Sequence, residues 1–326
     1  MTTRRASIVT VDAMYFDPAA AAIRVRGLTK TYGARRAVDG LDFELPRGVV
    51  AGFIGPNGAG KTTTMAMLLG LVTPTAGEGS VLGAALDRPV EFLDRVGALI
   101  EGPTLYPGLT GRENLRVLAT LAGHDTGGIP ALLDLVGLDE RGADRFGDYS
   151  LGMKQRLGIA GALLGDPELL ILDEPTNGLD PIGRREVREI IERVAGDGRT
   201  VLVSSHLLSE IEQVCDWLIV IERGVGIYAG PAAGITGSSS DGVVRIAPAQ
   251  PGDLPRLVAL LRTGDHDPTA DDDHVLVSVP DGCDPRAFAA QLNSAAHEHG
   301  VVLAELAPAM RTLEDRYLDL VQGATR

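Results

Sequence analysis

Two short runs carry the residue types needed to hold a triphosphate and cleave it. The first, GPNGAGKT at Gly55–Thr62, fits GxxxxGK[ST] and lies between an apolar strand-like run, VVAGFI, and a helical run, KTTTMAMLLG. Gly55, Gly58 and Gly60 free the backbone to wrap around phosphate, and the N–H groups that open a helix add a favourable dipole. Pro56, Asn57, Ala59 and Thr63 fill out the cradle. Lys61 is expected to reach the β- and γ-phosphates, and the Thr62 hydroxyl to bind Mg²⁺. The second run, LLILDE, brings Asp173 and Glu174 to the C-terminal end of a strand, where ligands sit in doubly wound sheets. Asp173 suits Mg²⁺ held through water, and Glu174 suits polarising a water for attack on the γ-phosphate. Neighbouring strand residues point to opposite sides, so both reach one site only where the strand frays. Nucleotide binding follows; the loop alone does not separate kinases, GTPases, motors and transport ATPases.

The elements that must position these residues are legible as pattern. Short apolar runs (LDFEL, VVAGFI, RVGALI, LLILD, TVLVSS, WLIVIE) alternate with longer helical stretches, an α/β arrangement with a mixed, helix-covered sheet. Between Glu101 and Ser150 no strand pattern occurs, while TGRENLRVLATLAG and IPALLDLVGL read as helices, so a helical subdomain is inserted there. Residues 1–22 read as a loose extension, 23–233 as the nucleotide-binding domain and the Gly/Ser-rich 234–241 as a linker. Residues 242–326 then read as a compact βαβαβα accessory domain ending in the helix TLEDRYLDLVQG. The aspartate-rich GDHDPTADDD between two of its elements reads as a solvated loop, and His297 and His299 face different directions on a helix.

Composition narrows the partners. Acidic side chains outnumber basic ones, 44 to 30, for a net charge of -14, which argues against phosphate-backbone binding to nucleic acid as the main task. The two cysteines, Cys215 and Cys283, form no CxxC pair, and a reducing cytosol fits them. The first residues lack a long apolar stretch and reach Asp12 quickly, unlike a signal peptide. No run approaches the roughly 18 to 20 apolar residues needed to span a bilayer, so a membrane role has to pass through a partner.

YSLGMKQRL, directly before LLILDE, places Ser150 and Gly152 at the start of a helix, where a hydroxyl, a backbone N–H and a positive helix end converge on an anion. Together with the phosphate loop, LLILDE, PTNGLD, SSH and Tyr32 in LTKTYG, this order of motifs resembles the ATP-binding subunit of ABC transporters over about residues 23–230. The resemblance implies a P-loop cassette, with a RecA-like core, an antiparallel β subdomain and a helical subdomain, followed here by a small α+β accessory domain. It implies ATP and Mg²⁺ as ligands, Tyr32 stacking on adenine, His206 on the γ-phosphate and Asp180 in the D-loop. It also implies a dimer, Ser150 and Gly152 of one subunit serving the ATP held by Lys61 of another. A single chain supplies a single cassette, so the second ATP-binding subunit is most simply an identical chain.

Two motifs depart from the family's usual pattern. Leu151 and Met153 stand where LSGGQ has glycine and glutamine, and Glu101 stands at the Q-loop glutamine, where it can still coordinate Mg²⁺ or its water. Both departures, and the C-terminal helix, resemble the antibiotic, lantibiotic and multidrug exporter branch. The expectation is a cytoplasmic ATPase, peripheral on the membrane through a separate permease, with Glu174, His206 and Lys61 catalytic. A soluble ABC ATPase acting as a clamp or regulator is the alternative.

Overall fold

The computed structural model describes residues 9–10, 21–207, 211, 213–236, 242–264, 266, 268–271, 273–280, 282–310 and 317. They fall into two compact units, one running to Ala232 and the other over Ala233–Leu320.

In the larger unit the strands are β1 (Val9–Thr10), β2 (Ala21–Tyr32), β3 (Arg35–Pro46), β4 (Val50–Ile54), β5 (Ala76–Val81), β6 (Ala84–Ala85) and β7 (Val96–Leu99). They continue with β8 (Leu169–Leu172), β9 (Thr200–Ser205), β10 (Trp217–Glu222) and β11 (Val225–Pro231). A seven-stranded sheet runs in the order β1-β11-β10-β4-β9-β8-β7, with every neighbouring pair parallel except β10 and β11. Its central strand β4 is buried at every residue, as a parallel strand covered on both faces must be. A second, antiparallel sheet runs β3-β2-β5-β6.

The helices of this unit are α1 (Lys61–Leu68), α2 (Gly111–Ala122), α3 (Ile129–Leu135), α4 (Leu151–Ala162) and α5 (Pro181–Gly196); the short α6 (Ala232–Thr236) starts in it at Ala232 and continues into the smaller unit. Met65, Met67 and Leu68 of α1 share one apolar core with Phe53 of β4, Ile171 of β8 and Leu41, Phe43 and Leu45 of β3. The helix that carries the phosphate-loop lysine is thus held by both sheets, and each fully buried side chain of this size contributes about 1.5–3 kcal/mol. Helices α2, α3 and α4 pack on one another as the expected helical insertion. A full capping box opens α2: Thr110 Oγ1 accepts from Glu113 N at 3.1 Å while Glu113 Oε2 accepts from Thr110 N at 2.8 Å. These bonds from the Thr110 backbone and hydroxyl hold the Glu113 carboxyl below its ordinary range.

The smaller unit contains β12 (Gly242–Pro248), α7 (Leu254–Thr263), β13 (Thr269–Ala270), β14 (Val275–Ser278), α8 (Pro285–Glu298) and β15 (Leu303–Met310). Its sheet is antiparallel in the order β13-β14-β12-β15, a split βαββαβ arrangement. Val244, Ile246, Val275 and Val277 pack against Leu257, Leu261, Phe288 and Leu292 of the helices.

Several expectations change. The smaller unit gains a strand, because Thr269–Ala270 inside the aspartate-rich run pairs with the edge of β14. In the N-terminal extension, Val9–Thr10 pairs with Tyr228–Ala229 instead of hanging loose. AIRVRG is the start of a strand of 12 residues, and β5, β6 and β11 had no clear apolar run to announce them. The C-terminal helix TLEDRYLDLVQG, apart from Tyr317, and most of the 234–241 linker lie outside the described residues.

Candidate functional site

Parallel pairing sets the register of the site. Ile54, the last residue of β4, lies opposite Ser205, and Leu172, the last of β8, opposite Val203. Gly55, Asp173 and Ser204 therefore come together at the C-terminal ends of these three adjacent strands. The chain then turns so tightly that a β-carbon on Gly55 would meet the Ile221 carbonyl oxygen. Gly60 caps α1 at φ 108, where a β-carbon would fall 2.5 Å from Ala37 O. Only glycine fits there, and the loop's N–H groups and the opening of α1 are left facing the cleft.

Asp173 is 6% exposed and doubly bonded. Its Oδ2 accepts from Thr62 Oγ1 at 2.6 Å, and its Oδ1 from Ser204 Oγ at 2.6 Å. The Ser204 oxygen in turn accepts the Glu174 N–H at 2.9 Å. Glu174 adopts φ 48, a left-handed conformation that costs a non-glycine residue about 1–2 kcal/mol. That turn lets adjacent carboxylates serve one site: Asp173 faces Thr62, and Glu174 swings toward Lys61 and His206. Glu174 Oε1 lies 3.1 Å from Lys61 Nζ, and Oε2 lies 2.7 Å from His206 Nδ1. Lys61 Nζ also donates to Gly55 O at 2.7 Å.

Around this cluster lies a cleft of about 450 Å³, lined by Tyr32, Asn57, Gly58, Gly60, Thr62, Thr63 and Glu174. Tyr32 ends β2 and is half exposed, with Lys30 Nζ 5.0 Å from its ring centroid. Pro56 and Ala59 close the loop through an Ala59 N to Pro56 O hydrogen bond of 3.1 Å.

Ser150, Gly152 and Asp180 stand apart from that cleft. Ser150 caps α4, its Oγ accepting from Met153 N at 3.2 Å, and Gly152 lies in the first turn. An accepting hydroxyl keeps its own proton to donate, so Ser150 remains available to an anion. Asp180 caps α5 by accepting from Gly183 N at 2.9 Å. Leu151 is half exposed and leans on Gly178. Glu101 follows β7 at φ 57, exposed, and takes no part among the described residues in the Thr62–Asp173 pair or the cleft lining.

The Thr62 and Asp173 oxygens make a hard donor pair of the kind a divalent cation takes together with phosphate oxygens and water. Among the described residues no group of three or more His, Cys, Asp or Glu could hold a metal unaided.

Ser204 is the functional position that motif reading passes over. It sits in β9 two residues before His206, which lies in the bend that follows the strand. Arg35, which no motif singles out, also lines the cleft.

Comparison with known proteins agrees with this geometry. Residues 38–177 match the family described as ABC transporter. The bacitracin transport ATP-binding protein BcrA of Bacillus licheniformis is 49% identical over 205 residues, 62% of this chain and 67% of the relative. The lantibiotic transport ATP-binding protein SrtF of Streptococcus pyogenes is 44% identical over 202 residues, 62% of this chain and 87% of the relative. A solved ATP-binding subunit of an ABC transporter is 32% identical with a TM-score of 0.59, over 66% of this chain and 91% of that one. With relatives this similar covered over most of their length, the chain belongs to the ABC transporter family as an ATP-binding, ATP-hydrolysing subunit.

Proposed function

We propose that the chain works as one of a pair of ATPase subunits that power export of an antibiotic-like or lipid-like substrate through a separate membrane permease. One observation carries the chemistry: the convergence of Lys61, Glu174 and His206 beside the Thr62–Asp173 pair. Adenine stacks on Tyr32 and the triphosphate follows the loop from Asn57 to Thr63. Lys61 exchanges Glu174 for β- and γ-phosphate oxygens as the nucleotide enters. Thr62 and Asp173 would hold Mg²⁺, which supplies charge neutralisation at those oxygens.

Glu174 then takes a proton from a water whose oxygen bonds to the γ-phosphorus. The bond from that phosphorus to the β–γ bridging oxygen breaks, and ADP and inorganic phosphate leave. His206 orients the Glu174 carboxylate through the 2.7 Å contact. The signature residues support the pairing of subunits: Ser150, Gly152 and Asp180 lie outside their own chain's cleft, and Ser150 retains a proton to give.

The permease docks in a groove of about 360 Å³ lined by Leu93, Leu99, Pro103, Leu105 and Leu118. Val90, Tyr106 and Leu121, 89%, 58% and 77% exposed, offer further apolar surface to it. Among the described residues no helix is long and apolar enough to cross a membrane, so attachment to its inner face runs through that contact. The substrate class rests on the relatives named for bacitracin and lantibiotic transport.

Glu174→Gln tests the reading. The variant should bind ATP, lose turnover by about 100-fold or more, and accumulate as an ATP-bound dimer on size exclusion. Hydrolysis at the unmodified rate would remove Glu174 from the role of base.

A further inference from the structure

We infer that Arg35 is a second cationic ligand for the nucleotide's phosphates, set in the same cleft as Lys61; the inference rests on the nucleotide site proposed above. A tight turn at Gly33, φ 57, closes the β2–β3 hairpin, so Tyr32 and Arg35 form its last cross-strand pair. Cross-strand partners project from the same face, and both side chains line the same cleft. The guanidinium lies over the crest of the phosphate loop, with Nη2 3.6 Å from where a Gly58 β-carbon would be. Gly58 has none, at φ 80, so the arginine approaches loop backbone directly.

The charges of the cleft give this placement its meaning. Lys61 is already engaged by Gly55 O, at 2.7 Å, and by Glu174, at 3.1 Å. Lys30, two residues before Tyr32 on the same strand, donates to Thr73 O at 2.7 Å. Arg36 pairs with Asp39 at 2.8 Å. Arg35 has no carboxylate partner among the described residues and stands exposed in the cleft. An adenine on Tyr32 and a terminal phosphate at Lys61 put the intervening phosphate oxygens beneath this guanidinium, whose planar fork suits them. The β2–β3 hairpin would then grip the nucleotide at two points, by stacking and by charge.

The test titrates the full chain with ATP, ADP and adenosine, comparing it with Arg35→Ala, Arg35→Lys and Lys61→Ala. Arg35→Ala should raise the dissociation constants of ATP and ADP about tenfold, the loss of one charge-assisted contact, and that of adenosine less than about twofold. Arg35→Lys should recover part of the difference, and high salt should shrink it. ATP and ADP binding within twofold of the unmodified chain would overturn the inference. So would an equal loss for adenosine, because Arg35 would then only hold the hairpin and Tyr32 in place. If the unmodified chain bound no ATP, or Lys61→Ala bound it equally well, the nucleotide site itself would fall, and this inference with it.

Discussion

Ser204→Ala separates the geometry of the site from its chemistry, because Ser204 bonds the Asp173 carboxylate and the Glu174 backbone N–H and so positions both acidic residues. The side chain is 0% exposed, donates to Asp173 Oδ1 at 2.6 Å and accepts from Glu174 N at 2.9 Å. A hydrogen bond to a charged group is worth about 1.5–3 kcal/mol and a neutral one about 1 kcal/mol. Solvent that enters to pair with Asp173 returns part of this, so a loss of about 2–3 kcal/mol in urea unfolding is expected. Catalysis should fall for a distinct reason. Glu174 sits at φ 48, at a cost of about 1–2 kcal/mol, and the Ser204 bond to its N–H is what opposes relaxation. Without that bond a right-handed Glu174 becomes comparable in energy or better, so turnover at saturating ATP should drop about three- to thirtyfold. Ser204→Thr keeps the hydroxyl and should keep most of the rate, at about 1 kcal/mol for the crowded methyl. Stopped or steady-state phosphate release measures the rate. If Ser204→Ala turned over within twofold of the unmodified chain while losing the expected stability, the claim that the strained turn positions Glu174 would be wrong.

Two further substitutions probe the supports of the site. Gly60→Ala forces a β-carbon to 2.5 Å from Ala37 O at φ 108, so ATP affinity should fall at least about tenfold; equilibrium dialysis showing unchanged affinity would contradict the steric argument. Asn114 is fully buried, accepts from Tyr106 N at 2.8 Å and donates to Tyr106 O at 3.1 Å and Thr110 O at 3.0 Å. Asn114→Ala should cost about 2–4 kcal/mol in urea unfolding and expose the 106–110 loop to protease, whereas a loss below about 1 kcal/mol would show that the loop is held elsewhere.

What the sequence made legible was whatever is local. The phosphate loop, the strand before it and the helix after it are contiguous, so spacing alone announces Gly55 to Thr63. Ser150 and Asp180 as helix caps follow likewise from their neighbours. Motif order placed Thr62 and Asp173, 111 positions apart, on one cation, but the bond of Ser204 to Asp173 across 31 positions was not legible. Their contact depends on the strand order β4-β9-β8, which no single segment encodes. The hairpin strands were under-read because their partners, rather than an apolar run, define them; β5 is AGEGSV and gains its place by pairing with β2. Thr269–Ala270 is the same case in the smaller unit, a short edge strand hidden in an acidic run.

The position of β4 at the centre of the large sheet also dictates when the phosphate loop can exist during synthesis. Both its neighbours arrive late: β9 begins at Thr200 and β10 ends at Glu222, some 150 residues or more beyond Val50. A growing chain therefore carries the loop sequence long before it has a sheet edge to anchor it, and closing such distant pairings is slow. Until β9 has emerged, β4 is an apolar strand with both edges open, a segment prone to pair with the wrong partner, and one edge stays open until β10 follows. Nucleotide binding thus becomes possible only as the cassette nears completion, so that ATP, present throughout translation, can capture and stabilise only chains whose core has finished folding.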